Sequence, residues 1–267
     1  MNRDKPSTPV MLQTMPEAQT AFCNFCGYDH SLLREPAVYA AQKLMEQLQS
    51  KKNINLDSDT PLSARELQTD YLYGNARGKM FGVLVCRASD GSQQILKAFS
   101  GQYNGIWEVK GWAPPLFDVQ QFYCLNNPIE KQIKALGREA DNVTISPGTR
   151  ESLLKKRKNL SRQLMKQIHS LYKLHNFRGK QCSLFDLFPE GRGIPTGTGD
   201  CCAPKLLNFA AILGLQPLGL AEFYWGRTNK SASRHEGQLY AACKDKCGPI
   251  LGFLLCGLDA KGTTCRS

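Results

Sequence analysis

The sequence predicts an α/β (α+β) fold: a mixed sheet flanked by helices, with one long basic helix set against it. Three observations carry this expectation. Two apolar runs flank the tight-turn pair Asp90-Gly91 within 78–101, a β-hairpin signal. A leucine-periodic run fills 149–177. From 183 onward, Gly/Pro loops, helical stretches and strand-like stretches alternate as in an α/β unit.

Taken in order, residues 1–20 are polar and lack an apolar secretory core, so they read as a flexible segment with no export signal. "REPAVYAAQKLMEQLQ" (34–49) reads as a helix, with Pro36 in its first turn and a stripe of Val38, Ala41, Leu44, Met45 and Leu48. Residues 51–76 are loop-like, the hairpin follows, and 103–118 looks like a strand leading into a proline loop. "NPIEKQIKALGRE" (127–139) predicts a short helix capped by Asn127. In 149–177, Leu153, Leu160, Leu164, Ile168 and Leu171 form one stripe, and Thr149 is the expected N-cap. The later unit runs from a loop ("LFDLFPEGRGIPTGTG") to a helix ("DCCAPKLLNFAAILG") and a strand ("LQPLGLAEFYWG"). A basic loop ("RTNKSASRHEG"), a short strand ("QLYAA") and a second helix ("CKDKCGPILGFLLCG") complete it. The parts expected are thus a flexible 1–20, a mixed α/β part 21–148, a helical arm 149–177, and a zinc-binding α/β part 178–267 packed on 21–148.

Charge separates these parts. Residues 1–149 hold 15 Lys/Arg and 15 Asp/Glu, whereas 150–267 hold 19 and 8, which is the whole net charge of +11. One half of the chain therefore suits a polyanion, the plainer reading being solubility. Lys155, Lys156, Arg157, Lys158, Arg162 and Lys166 cover the helical arm, which is either a solvated face or a phosphate-binding one. Arg227, Lys230 and Arg234 add a basic loop. No apolar run reaches 18 residues, so no membrane helix is expected. Eleven cysteines without an export signal fit a cytoplasmic chain that uses thiols for metal or catalysis rather than for disulfides.

Cys201 and Cys202 fall at one helix start, with Asp200 placed to cap it; Cys243 and Cys247 fall at another, four residues apart and so on one face. The positive end of a helix favours thiolate, and three thiolates plus a water is a catalytic zinc arrangement. The alternative is that these cysteines are small core residues. Glu222, inside a strand, is costly unless paired or set in a cleft, and Asp200 or Glu222 can move the proton of a metal-bound water. A separate possibility makes Cys201 a nucleophile and His235 its base, as in acyl transfer. "FCNFC" (22–26) is a C-x-x-C that can be half a structural zinc site; no second pair at ribbon spacing accompanies it, so packing is its expected role. His30, His169 and His175 show no partner pattern, and Cys86, Cys124, Cys182, Cys256 and Cys265 read as ordinary thiols.

Two resemblances extend these readings. "GKMFGVLVC", "AFSG", "FPEGRGIPTGTGDCCAPKLL", "GLQPLGLAEFYWG", "RHEGQLYAACKDKCGPIL" and "LLCGLD" resemble, in the same order, the region that precedes the catalytic domain in long bacterial RluA-type pseudouridine synthases. The R-L-D segment that carries the synthase aspartate does not occur here, so pseudouridine formation is not expected of this chain alone. The order "GDCCAPKLL", "PLGLAEFYW", "AACKDKCGPIL" is also similar to the cytidine-deaminase-like fold, in which zinc activates water against C4 of cytosine. It departs from that fold in three ways: the acid precedes its cysteine, the pair is C-x-x-x-C, and Ala242 replaces a proline.

Together these imply an RNA-modification domain acting on tRNA or rRNA. Zinc held by Cys201 (or Cys202), Cys243 and Cys247 would deaminate cytidine hydrolytically, with Asp200 or else Glu222 as the acid/base; His235 is catalytic only in the acyl-transfer alternative, and a separate pseudouridine synthase chain is a further partner to expect. The alternative kept open is a non-catalytic RNA-binding accessory module.

Overall fold

A computed structural model describes residues 16–56, 65–188, 191 and 193–258. The chain opens with a hairpin, β1 (Ala18–Cys23) against β2 (Tyr28–Leu33), followed by α1 (Glu35–Lys51). The strands β3 (Lys79–Arg87) and β4 (Gln93–Phe99) form the hairpin the sequence predicted, with Gly91 at φ +85° in its turn and Asp90 accepting from the Ser92 amide at 2.8 Å. Two long helices follow, α2 (Val119–Ala140) and α3 (Pro147–Ser170), then the two-residue strands β5 (Leu174–His175) and β6 (Gln181–Cys182). The last elements are α4 (Cys202–Ile212), β7 (Gln216–Trp225), β8 (Leu239–Tyr240) and α5 (Lys244–Leu255).

The α/β class holds, with helices on both faces of a four-stranded sheet in the order β4-β3-β7-β8. All its pairings are antiparallel, where the sequence predicted a mixed sheet. Strand alternation sorts the side chains. Phe81, Val83, Val85, Ala221, Phe223 and Trp225 face α1, whose Ala37, Ala41, Leu44 and Leu48 close that core. Leu84, Cys86 and Leu220 face the other way, against Leu206 and Leu207 of α4 and Ile250 and Leu254 of α5. Each such large apolar side chain contributes about 1.5–3 kcal/mol by leaving water. Residue 82 is glycine because α4 arrives very close: a Cβ there would lie 2.7 Å from Cys202 Cβ.

Several boundaries differ from expectation. Ala18, Gln19 and Thr20 are already strand, while 1–15 lie outside the described residues. The helix expected at 127–139 begins eight residues earlier, because Asp118 caps it by accepting from the Gln121 amide at 2.7 Å; Pro128 lies in its interior. The next helix is capped by Ser146, not Thr149, and ends at Ser170 instead of 177. It is no isolated arm: α2 and α3 pack as an antiparallel pair. The pair is rooted by Phe122, Leu164 and Ile168 among Trp107, Phe117 and Tyr172. Residues 103–118 hold only a single bridge, Tyr103 to Ile106. One apolar cluster draws side chains from all of 21–148, 149–177 and 178–258.

Candidate metal centre

β1 ends at Cys23 and the chain reverses through four residues. Gly27 supplies the turn, with φ +77° and its amide bound to the Cys23 carbonyl at 2.8 Å. A C-x-x-C turn of this kind brings both sulfurs to one side. In the β1–β2 register Cys23 pairs with Tyr28 and Ala21 with His30, so alternation puts Cys23 and His30 on the same face. Cys26 Sγ lies 3.0 Å from His30 Nε2.

The fourth group comes from the far end of the chain. Cys256 caps the C-terminus of α5 and its carbonyl accepts from the Phe177 amide at 3.0 Å. The helix can reach the hairpin because residue 252 is glycine: any Cβ there would overlap the Phe22 carbonyl. Phe25 seals the approach against Phe253, ring centroids 5.2 Å apart. The donor atoms of Cys23, Cys26, His30 and Cys256 all lie within 4.8 Å of one another. A tetrahedral ion with metal–sulfur bonds of about 2.3 Å needs sulfurs ~3.8 Å apart, so a small inward adjustment closes the set. Cys23, His30 and Cys256 are buried and Cys26 is half-buried.

The electrostatics suit a ligand set. Burial opposes ionisation of Cys26, but the Tyr28 amide, His30, Cys23 and Cys256 together bring its thiol down to about 7. Cys256 is pushed up to about 12, by burial and the neighbouring thiols, while a hydrogen bond from Arg178 works in favour of its thiolate. A metal ion would supply the positive charge that lets further sulfurs ionise.

The residues singled out in the sequence are placed differently. Cys201 is the N-cap of α4 and Cys243 the N-cap of α5, neither with a side-chain capping bond. Cys247 is buried against Cys201. At Cys201 and Cys202 the surroundings disfavour the activated thiolate expected at this junction. The Cys247 thiol, burial, Glu222 and Asp200 all hold Cys201 well above the ordinary thiol range, and burial does the same to Cys202, whose sulfur donates to the Met80 carbonyl at 3.4 Å. Among the described residues, Cys23, Cys26, His30 and Cys256 are the one set of three or more such donors gathered within 4.8 Å; Cys201, Cys243 and Cys247 are not gathered in that way.

Asp200 does not cap α4; its carboxylate accepts from the Tyr172 hydroxyl at 2.7 Å. The capping carboxylate is Glu222, reaching across from β7 to accept from the Ala203 amide at 2.7 Å, and burial lifts its pKa to about 7. His235 is exposed, and no hydrogen bond among the described residues joins it to Cys201. Lys155, Lys156, Arg157, Lys158, Arg162 and Lys166 are all exposed on α3, and Arg227 and Lys230 on their loop. Arg234 is committed inward, its guanidinium 4.7 Å from the Tyr240 ring centre.

No family model, curated protein or solved structure matches this chain.

Two groups escaped the sequence reading. The metal set was half visible as the C-x-x-C, but its completion, His30 four residues on and Cys256 beyond two hundred more, follows no ribbon spacing. Lys205 is fully buried, its ammonium donating to the carbonyls of Phe99 at 3.1 Å and Gly101 at 2.8 Å over the Phe99 ring, and burial brings its pKa down to about 8. Nothing in the periodicity of "APKLLNFA" marks it.

Proposed function

We propose that this chain is a non-catalytic RNA-binding accessory module whose frame is closed by a structural zinc ion at Cys23, Cys26, His30 and Cys256. The observation that carries the zinc reading is the closed donor set: three sulfurs and one imidazole nitrogen, all from the protein and largely buried. Four soft-to-borderline donors fit Zn²⁺ and leave no position for a reacting water, which is the structural pattern. Bound there, zinc supplies a cross-link between the first hairpin and the end of α5.

The RNA reading rests on charge placement. The seven Lys and Arg side chains of α3, Arg150 and the six named above, are exposed, and none pairs with a carboxylate within 4.0 Å among the described residues. A helix that keeps its cations free of internal partners can exchange counterions for phosphates. The resemblance to the region preceding RluA-type synthase domains supplies the class of partner, a pseudouridine synthase acting on tRNA or rRNA.

The test is to purify the chain, measure zinc, and follow tRNA retention on filters as salt is raised. We expect about one zinc per chain, lost in Cys26→Ser, and RNA affinity that falls steeply with salt and weakens in Lys155→Ala/Lys156→Ala. Conversion of cytidine to uridine in the same RNA would overturn the non-catalytic reading in favour of zinc-dependent deamination. Absence of both zinc and RNA retention would overturn the proposal as a whole.

A further inference from the structure

Beside α3 lies a groove of about 1020 Å³, walled on the other side by the segment that carries Phe185 and Phe188. Its helix wall presents Arg157, Lys158, Arg162 and Lys166, and among the described residues no carboxylate lines it. Lys158, Arg162 and Lys166 are spaced four residues apart, a row rising about 6 Å per step along the helix. Its floor is different in kind. Phe185 leaves 46% of its surface exposed. The His169 ring lies 6.4 Å from it, centre to centre, at 70°.

His169 adds an independent observation. It is only 6% exposed, yet its Nε2 is buried with no hydrogen-bond partner among the described residues. A buried polar atom left unpaired costs about 1–3 kcal/mol, so such atoms usually have a reason. Burial also pushes His169 below the ordinary histidine range, which leaves a neutral ring able to donate or accept one bond at that nitrogen.

We infer that this groove is a subsite for single-stranded RNA, with phosphates tracking the Lys158–Arg162–Lys166 row and an unpaired base seated on Phe185 within reach of His169. The inference rests on the RNA-binding reading above and sharpens its substrate class. A duplex offers phosphates to the cations but hides its bases from a recessed aromatic floor; an unstacked strand can use both. At about 1020 Å³ the groove has room for more than one nucleotide.

The experiment is fluorescence anisotropy with a labelled oligouridylate and with an RNA duplex of equal length, at matched salt. We expect the strand to bind about tenfold tighter than the duplex. Phe185→Ala, at an exposed ring, should weaken the strand about tenfold and leave the duplex unchanged. Arg162→Ala/Lys166→Ala should weaken both. A strand carrying 4-thiouridine should cross-link to peptides from 154–188. Equal binding of strand and duplex with Phe185→Ala silent and cross-links elsewhere would overturn the subsite while leaving the RNA-binding module standing. No salt-dependent retention of either RNA would overturn both.

Discussion

Two cysteine clusters stand on either side of α5, and they behave in opposite ways. At the helix's C-terminal end, Cys23, Cys26, His30 and Cys256 point at one another, and Cys26 is drawn down to about 7 despite burial. At the N-terminal end, Cys201, Cys202 and Cys247 sit at helix starts where the dipole favours thiolate, yet Cys201 and Cys202 are raised. The difference lies in the neighbours. The first cluster has an imidazole, the Tyr28 amide and Arg178 directed at sulfur. The second has two carboxylates, Asp200 and Glu222, and its strongest donors are spent elsewhere: the Ala203 amide on Glu222, the Lys205 ammonium on backbone carbonyls. A helix N-terminus is worth roughly 0.3–1 kcal/mol to an anion; the Cys247 thiol and burial at Cys201, and burial at Cys202, outweigh it, with the two acids adding to them.

The largest expected effect that bears on this contrast is loss of the first cluster. Chelation, or Cys256→Ser, should release the hairpin from α5, because structural zinc binding is worth on the order of 10 kcal/mol. Hydrogen exchange should rise in 18–33 and 250–258 while β3 and β7 stay protected; uniform exchange across the sheet would show that the cluster does not act locally.

Next in size is Gly252→Ala. The added methyl forces α5 off the Phe22 carbonyl, at a cost of about 3 kcal/mol in a urea titration, with zinc content falling in parallel. Retained zinc at unchanged stability would mean that the close approach does not set the site.

Glu222 gives an effect of similar size that varies with pH. Its ordinary value of 4.5 is lifted to about 7 in the fold. Between those values the folded chain holds a proton that the unfolded chain has released, so stability falls as pH rises through that window, by about 3 kcal/mol in all. Glu222→Gln, which keeps an acceptor for Ala203, should flatten that part of the profile; an unchanged slope would remove Glu222 as its source.

The smallest effect is expected at Cys243. Half-buried and making no capping bond, it should tolerate alanine within about 0.5–1 kcal/mol and with full zinc content. Loss of zinc in Cys243→Ala would reverse the contrast and return the metal to the junction of α4 and α5.

Much of the fold was legible because it is local. Asp90-Gly91 between apolar runs specifies the β3–β4 hairpin, and the leucine stripe places the start of α3 within two residues but carries its end seven residues too far. The helix starts at Cys202 and Lys244 fall within a residue of the cysteines expected there, although the cap expected of Asp200 at the first is not made. The β1–β2 hairpin was not read, because "AQTAFCNFCGYDHSLL" alternates only weakly and its stability comes from packing on α5. The start of α2 was misplaced because Asn127-Pro128 imitates a helix entry, whereas Asp118 caps the true one.

By itself, the sequence determined α1, the β3–β4 hairpin, most of α3 and the α4–β7–α5 run, the concentration of positive charge after residue 150, and the C-x-x-C. These depend on periodicity, capping and composition, all of which act over a few residues. Only the tertiary structure decided which cysteines meet, that Glu222 caps a helix from another element, and that Lys205 is buried. Those facts depend on contacts between groups far apart in the chain. Cys23 meets Cys256 because Gly252 lets a helix touch a hairpin backbone, and no spacing rule along the sequence encodes that approach.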